Sequence, residues 1–301
     1  VGQNFSGTNV IGGSTIISID GPTTFTASAA PTTAVASGTT LTFAAHGGLT
    51  LSPELATSDT VLVDLNGTNQ TFNSLTATTD GAVTIDNTSG SPATLTVGAN
   101  NNVVSISNAG ARTISNSGGG ALSFVKTGST ALSLPTGMTL TYQGTTTSEG
   151  GGSLTISSPL DGTTGLIATG GSTLALTGGL TTPGVITSVN VGGGSTLSLL
   201  DGTGTKVTSL TSLSLGNTGT GTVTLALNVG DGMTPGDNAN TDLLRLLTGG
   251  TLALGNTITF NMTDAGLNAG QTYTLLNVVD GGLNAFGFAN LIQGATPGGY
   301  T

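Results

Sequence analysis

Apolar positions alternate with hydroxyl-bearing ones along much of the 301-residue chain, as in Thr94-Leu95-Thr96-Val97, Thr139-Leu140-Thr141-Tyr142 and Thr173-Leu174-Ala175-Leu176. A period of two sends successive side chains to opposite faces of an extended backbone, so each run predicts a strand with one buried face. No long stretch has the period of an amphipathic helix. The expected strands include Ile16 to Ile19, Thr40 to Phe43, Val61 to Leu65, Gln70 to Leu75, Val83 to Ile85, Thr94 to Val97 and Val103 to Ile106. They continue through Thr113 to Ser115, Leu122 to Val125, Leu132 to Leu134, Thr139 to Tyr142 and Leu154 to Ile156. Gly, Asn, Ser and Asp are common in the gaps, at a beat of about 7 to 12 residues, which suits a β-sandwich or a solenoid.

Repetition separates these two folds. Thr127-Gly128-Ser129-Thr130-Ala131-Leu132-Ser133-Leu134 returns as Thr169-Gly170-Gly171-Ser172-Thr173-Leu174-Ala175-Leu176, with further versions at Gly193 to Leu199 and Gly249 to Leu254. One such unit cannot bury its apolar side alone, whereas stacked units bury a continuous one. Aromatic residues are only 4% and Trp is absent, although a sandwich of this size would usually hold large aromatic anchors. The pattern therefore predicts an all-β chain folded as a parallel β-helix, with the β-sandwich as the alternative. At about 20 to 25 residues per circuit the chain would make roughly 12 to 15 circuits. Stacked about 4.8 Å apart, these would form a rod roughly 60 to 70 Å long.

Composition narrows the setting. The 51 glycines would suit disorder, but 36% hydrophobic residues and a mean hydropathy of +0.26 supply a core. Charged residues are only 6%, with 14 Asp+Glu against 4 Lys+Arg and a net charge of −10. Arg112, Lys126, Lys206 and Arg245 are scattered singly, which argues against nucleic acid and against an anionic membrane surface as partners. Cysteine is absent, which removes disulfides and thiolate metal sites. No apolar run approaches the ~20 residues needed to span a bilayer. The chain opens at Val1 without a cationic, apolar-cored leader, so it is expected to be the mature form of an exported protein.

Three segments carry a family resemblance. Val63-Asp64-Leu65-Asn66-Gly67-Thr68-Asn69-Gln70-Thr71-Phe72-Asn73-Ser74-Leu75 resembles the signature of autotransporter-associated β-strand repeat proteins. Phe124-Val125-Lys126-Thr127-Gly128, leading into Ala131-Leu132-Ser133-Leu134, is similar to the recurring unit of that family. Asp242 to Leu246, Leu252 to Gly255 and Gly270 to Leu276 resemble its closing coils. The resemblance implies a right-handed parallel β-helix outside a bacterial cell. The outer-membrane barrel of a true autotransporter is not in this sequence, and no clear repeat precedes residue 60. Residues 1–30 are expected to form an N-terminal cap or a subunit-joining strand, and residues 31–301 the helix with its closing coils.

Acidic residues are the main candidates for chemistry: Asp59 with Asp64, Asp80 with Asp86, and Asp231, Asp237 and Asp242. Paired carboxylates can hydrolyse glycosides. Acidic sugars, however, call for cations and sugar rings for aromatic faces, both scarce here, so these residues are expected in solvated turns. No catalytic residue is assigned and the chain is not expected to be an enzyme. The loop from Asp231 to Asp242 is rich in oxygen ligands and Ca2+ is the cofactor it could hold, but its spacing is not that of an EF-hand and a plain acidic turn is favoured. His46 has no second His or Cys to share a metal and reads as a turn residue. Gly150-Gly151-Gly152 and Gly192-Gly193-Gly194 lack the Lys of a phosphate loop and read as corners. Asn4, Asn66, Asn69, Asn87 and Asn261 begin Asn-x-Ser/Thr sequons, and Phe286 with Phe288 should pack under the C-terminal end. The expected function is structural: a subunit of an extracellular filament that joins its own copies end to end. The alternative is a surface adhesin that binds glycan or protein along the rod.

Overall fold

The computed structural model describes residues 5–6, 16–21, 24–30, 42–43, 48–51, 60–77, 81–101, 105–106, 110–181, 186–202, 206–230, 241–264, 275–278 and 291–293. Among these residues the fold is all-β, apart from one 3-10 turn at Ala99–Asn101, and its large sheets are parallel. The first sheet has nine strands: Gln70–Phe72, Ala93–Val97, Leu122–Lys126, Thr145–Ser148, Gly165–Ala168, Ser188–Val191, Lys206–Leu215, Leu243–Leu254 and Leu276–Val278. A second face begins with the three-stranded sheet of Leu49–Leu51, Leu75–Ala77 and Ser105–Ile106. It goes on in seven strands from Ala131–Leu134 to Leu291–Gln293. A third sheet holds Thr60–Asp64, Ala82–Asp86, Arg112–Ser115 and Thr139–Thr141, and its line continues as single bridges from Leu140 to Leu160 and from Leu160 to Leu180.

Each strand is therefore followed by strands of the other faces before the chain returns beside it, and no closed barrel forms among the described residues. The return is short in the middle, where Thr145 pairs with Gly165, and longer towards the C-terminus, where Ser212 pairs with Thr251. Among the described residues the first sheet counts nine strands, and these lie between Gln70 and Val278. At a strand spacing of about 4.8 Å, nine strands span roughly 40 Å.

The repeated Leu-x-Leu motif forms two inward files on the second face. Leu132, Leu154, Leu174, Leu197 and Leu225 stand in register, as do Leu134, Ile156 and Leu176. All of them are buried in one core that runs from Leu51 to Ile258. The glycine-rich segments that precede the motif are corners, as expected, and their backbones nearly touch. A Cβ on Gly128 would lie 2.5 Å from the Gly98 oxygen, and one on Gly150 would lie 2.6 Å from the Gly128 nitrogen. Both glycines also have positive φ, so corner spacing and backbone geometry each exclude a side chain there.

One strand expectation is corrected. Gln70 to Leu75 is two strands, Gln70–Phe72 and Leu75–Ala77, because Ser74 and the buried Asn73 turn the chain from the first face to the second. Near the N-terminus, Ile16–Gly21 pairs antiparallel with Thr24–Ala27, and Phe5–Ser6 with Thr42–Phe43.

The ladders predict a sharp contrast within one strand. Leu174→Ala should lower unfolding free energy by about 2–5 kcal/mol, through lost burial and a cavity between stacked leucines. Ala175→Ser, on the outer side of the same strand, should change it by no more than about 0.5 kcal/mol. Denaturant unfolding of the two variants checks the assignment.

Candidate functional site

The densest polar constellation sits where the third sheet turns towards the first. Leu65-Asn66-Gly67-Thr68 closes a tight turn, with the Thr68 amide donating to the Leu65 carbonyl at 2.9 Å. Both central residues have positive φ, 45° at Asn66 and 72° at Gly67, which is why Asn-Gly stands there. Asp64 aligns this turn with the next circuit. Its Oδ1 accepts from the Asn66 amide at 2.9 Å and the Thr88 amide at 3.1 Å, and its Oδ2 from the Thr88 hydroxyl at 2.6 Å. The Thr88 hydroxyl first, then the Thr88 and Asn66 amides, hold the Asp64 carboxyl below the usual range.

Asp64 and Asp86 are register partners one circuit apart, with Ser115 the partner of Asp86 in the circuit after. Asp86 is buried and accepts four hydrogen bonds: from the Asn87 amide at 2.9 Å, the Ser115 hydroxyl at 3.0 Å, and the Ser117 amide at 2.9 Å and hydroxyl at 2.5 Å. Burial pushes its carboxyl up, but the combined bonds from Ser117, Ser115 and Asn87 outweigh that and hold it low. Beside it, fully buried Asn87 joins three circuits. Its Oδ1 accepts from the Gly67 amide at 2.8 Å, while its Nδ2 donates to the Ser91 carbonyl at 2.9 Å and the Gly120 carbonyl at 2.8 Å. The Asn87 sequon is thus occupied internally, whereas Asn66 and Asn69 are exposed.

Among the described side chains, the cations Lys126 and Arg112 are interior. Lys126 ends an inward alternation of Leu122, Phe124 and Lys126, in the file Val97, Lys126, Ser148, Ala168. It is fully buried, and its ammonium donates to the carbonyls of Thr127 at 2.6 Å and Gly128 at 2.9 Å. Desolvation pulls its pKa below the ordinary lysine range. The Ser148 hydroxyl, next in the file, is buried without a hydrogen-bond partner. Arg112, also inward, donates from Nη1 to the Gly81 carbonyl at 2.5 Å and the Ala111 carbonyl at 3.1 Å. It lines an apolar cavity of only about 10 Å³ with Leu51, Leu75, Val83, Ile114 and Met138. Arg245 is exposed.

A hydroxyl relay crosses the same interior. Thr163 gives its one proton to the Gly144 carbonyl at 2.8 Å, so it accepts from Thr146 at 3.0 Å, and Thr146 accepts from Tyr142 at 2.8 Å. Burial pushes the Tyr142 phenol well up, against a smaller opposing effect of the Thr146 bond.

Asp242 is a clasp. Its Oδ2 accepts from the Asn228 amide at 2.6 Å and its own amide donates to the Asn228 carbonyl at 3.0 Å, while the Thr241 hydroxyl donates to the Gly230 carbonyl at 2.8 Å. Asn228 in turn donates from Nδ2 to Asp201 Oδ1 at 3.1 Å. Asp242 is thus fully buried, and the expectation of a solvated turn is corrected for it and for Asp86. Asp59, Asp80, Asp231, Asp237, His46, Asn4, Phe286 and Phe288 lie outside the described residues. The pairs Asp59 with Asp64 and Asp80 with Asp86 each therefore have one member outside the described residues, and among the described ones Asp64 is the register partner of Asp86.

Among the described residues no three His, Cys, Asp or Glu side chains come together as a metal site. No described helix is long and apolar enough to cross a membrane. Comparisons with family models, curated proteins and solved structures give no match. The segment from Val63 to Leu75 supplies the Asn66–Gly67 turn and Asp64 of the Asp64–Asn87 corner.

These interior groups predict pH responses of the same sign in different ranges, stability rising with pH through the carboxylate range for Asp86 and below the ordinary lysine range for Lys126. Lys126 has a folded pKa below its unfolded one, so it weakens the fold at neutral pH, and stability should rise as pH climbs through the folded pKa towards the unfolded value. Lys126→Met should remove that rise, and Ser148→Ala should be neutral or stabilising because no bond is lost. Asp86 has a folded pKa below its unfolded one, so its contribution is present above the unfolded pKa and lost as pH falls through the folded pKa. Asp86→Ala should cost about 1–3 kcal/mol near neutrality by orphaning the Ser117 and Asn87 donors. Urea midpoints across acid and alkaline series measure all three.

Proposed function

We propose that this chain is a structural subunit of an extracellular bacterial fibre: a right-handed parallel β-helix whose copies join end to end. The observation that carries the proposal is the unbroken parallel pairing of the nine strands of the first sheet, in which each circuit pairs with the next. A parallel stack has backbone donors and acceptors along its outermost strands, so a copy of the same chain can extend the ladder. Such a contact joins unlike ends and gives an open filament rather than a ring. Residues 1–30 serve in this scheme as a cap or as the joining strand. The interior polar groups support a structural reading, since Asp64, Asp86 and Asn87 tie neighbouring circuits together. On this reading the chain is not an enzyme, and the resemblance to autotransporter-associated repeats supports a place outside the cell.

One observation favours a second reading, a surface adhesin. Ser153, Thr173, Thr196, Thr224 and Thr259 form a half-exposed file of hydroxyls on the outer side of the second face. Such an uncharged row could hydrogen-bond a glycan along the rod.

Electron microscopy of the purified protein, with and without a calcium chelator, tests the proposal. Regular filaments at high concentration are expected. Their loss in chelator would assign Ca2+ to the loop from Asp231 to Asp242. Isolated short rods at every concentration would overturn the fibre and leave the adhesin.

A further inference from the structure

Asn66–Gly67 is the one Asn-Gly dipeptide in the 301 residues, and Asn66 is exposed. Asn-Gly is the sequence most prone to spontaneous loss of its amide, because glycine leaves the following backbone nitrogen unhindered. In that reaction the Gly67 nitrogen gives up its proton to solvent base and bonds to Asn66 Cγ. The Cγ–Nδ2 bond breaks as Nδ2 takes up a proton from solvent and leaves as ammonia, closing a succinimide. Water then opens the ring at either carbonyl, giving aspartate or isoaspartate.

Here the attacking nitrogen is held. The Gly67 N–H donates to Asn87 Oδ1 at 2.8 Å, and Asn87 is itself fixed by its bonds to the Ser91 and Gly120 carbonyls. The next circuit also closes over the turn, since a Cβ on Gly67 would lie 2.8 Å from the Ser89 hydroxyl and 2.9 Å from Ser91 Cβ. On the other side, the Asn66 backbone N–H donates to Asp64 Oδ1 at 2.9 Å. To reach Asn66 Cγ, the Gly67 nitrogen must leave a buried acceptor and move within a turn fixed from both sides. The product would also put a second carboxylate next to Asp64.

We propose that Asn66–Gly67 is a latent deamidation site, kept inactive by the hydrogen bond from the Gly67 amide to Asn87. Asn87 is thus a positioning residue for chemical durability as well as a link between circuits, and the inference does not depend on filament formation.

The test is peptide mapping of the full chain after incubation at mildly alkaline pH, scoring aspartate and isoaspartate at position 66. Native protein should deamidate at least about tenfold more slowly than the same protein in urea, since the reaction must await local opening. Asn87→Ala, shown to be folded by circular dichroism, should deamidate several-fold faster than native protein. A folded Asn87→Ala that deamidates at the native rate would overturn the proposal. Should that variant not fold, hydrogen exchange at the Gly67 amide of the native protein decides: strong protection supports the proposal, and exchange as fast as a solvated amide overturns it.

Discussion

In-register parallel stacking is the constraint from which the other features follow. When the chain returns beside itself on the same face, a side chain at a given position must sit on the one before it, about 4.8 Å away. Leucine can be repeated at such a position without a void, and the files of Leu132, Leu154, Leu174 and Leu197 are built that way. At the corners the same closeness admits no side chain, as Gly98, Gly128 and Gly150 show. The high glycine content and the short apolar alternation are thus two consequences of one geometry.

That geometry gives buried polar groups a particular role. A polar atom pointing between the stacked parallel strands has lost water and must find a partner, and the nearest partners are backbone groups of adjacent circuits. Asn87 answers this by bridging Gly67 and Gly120, and Asp86 by accepting from Ser115 and Ser117. Such bonds favour one register over its neighbours, because a slip would leave the buried amide and carboxylate unpaired together. The apolar files are more tolerant, since one leucine can stack on another from a different circuit. The polar corner therefore specifies alignment where the hydrophobic files supply most of the burial.

Much of this architecture was legible in the sequence. The Leu-x-Leu repeats located the inward files, and the glycine runs located the corners. What the period of two did not reveal was pairing between circuits. Nearness along the chain pairs Asp64 with Asp59 and Asp86 with Asp80, and it gives no sign that Asp64 also lies beside Asp86 of the next circuit. The return distance that brings them together varies from circuit to circuit and has no local signature. Asn87 was read as a sequon for the same reason, its partners being distant in sequence. Lys126 could have been found, since it continues the inward alternation of Leu122 and Phe124. The charge on its tip argued for a solvated position, yet its aliphatic stem packs in the file beside Gly98 while its ammonium reaches the corner carbonyls.

The same reasoning bears on what kind of surface the fold can offer. A ladder that aligns like residues inside also aligns them outside, so an outward position repeated as Ser or Thr becomes a straight row at the strand spacing. Ser153, Thr173, Thr196, Thr224 and Thr259 form such a row through their partners in the sheet, without any one of them being a local motif. Function on this scaffold is therefore better sought in periodic rows and in the outermost strands than in a converging pocket. A fibre subunit uses the outermost strands and an adhesin uses the rows. One register serves both, and it is held by the hydrogen bonds around Asp86 and Asn87.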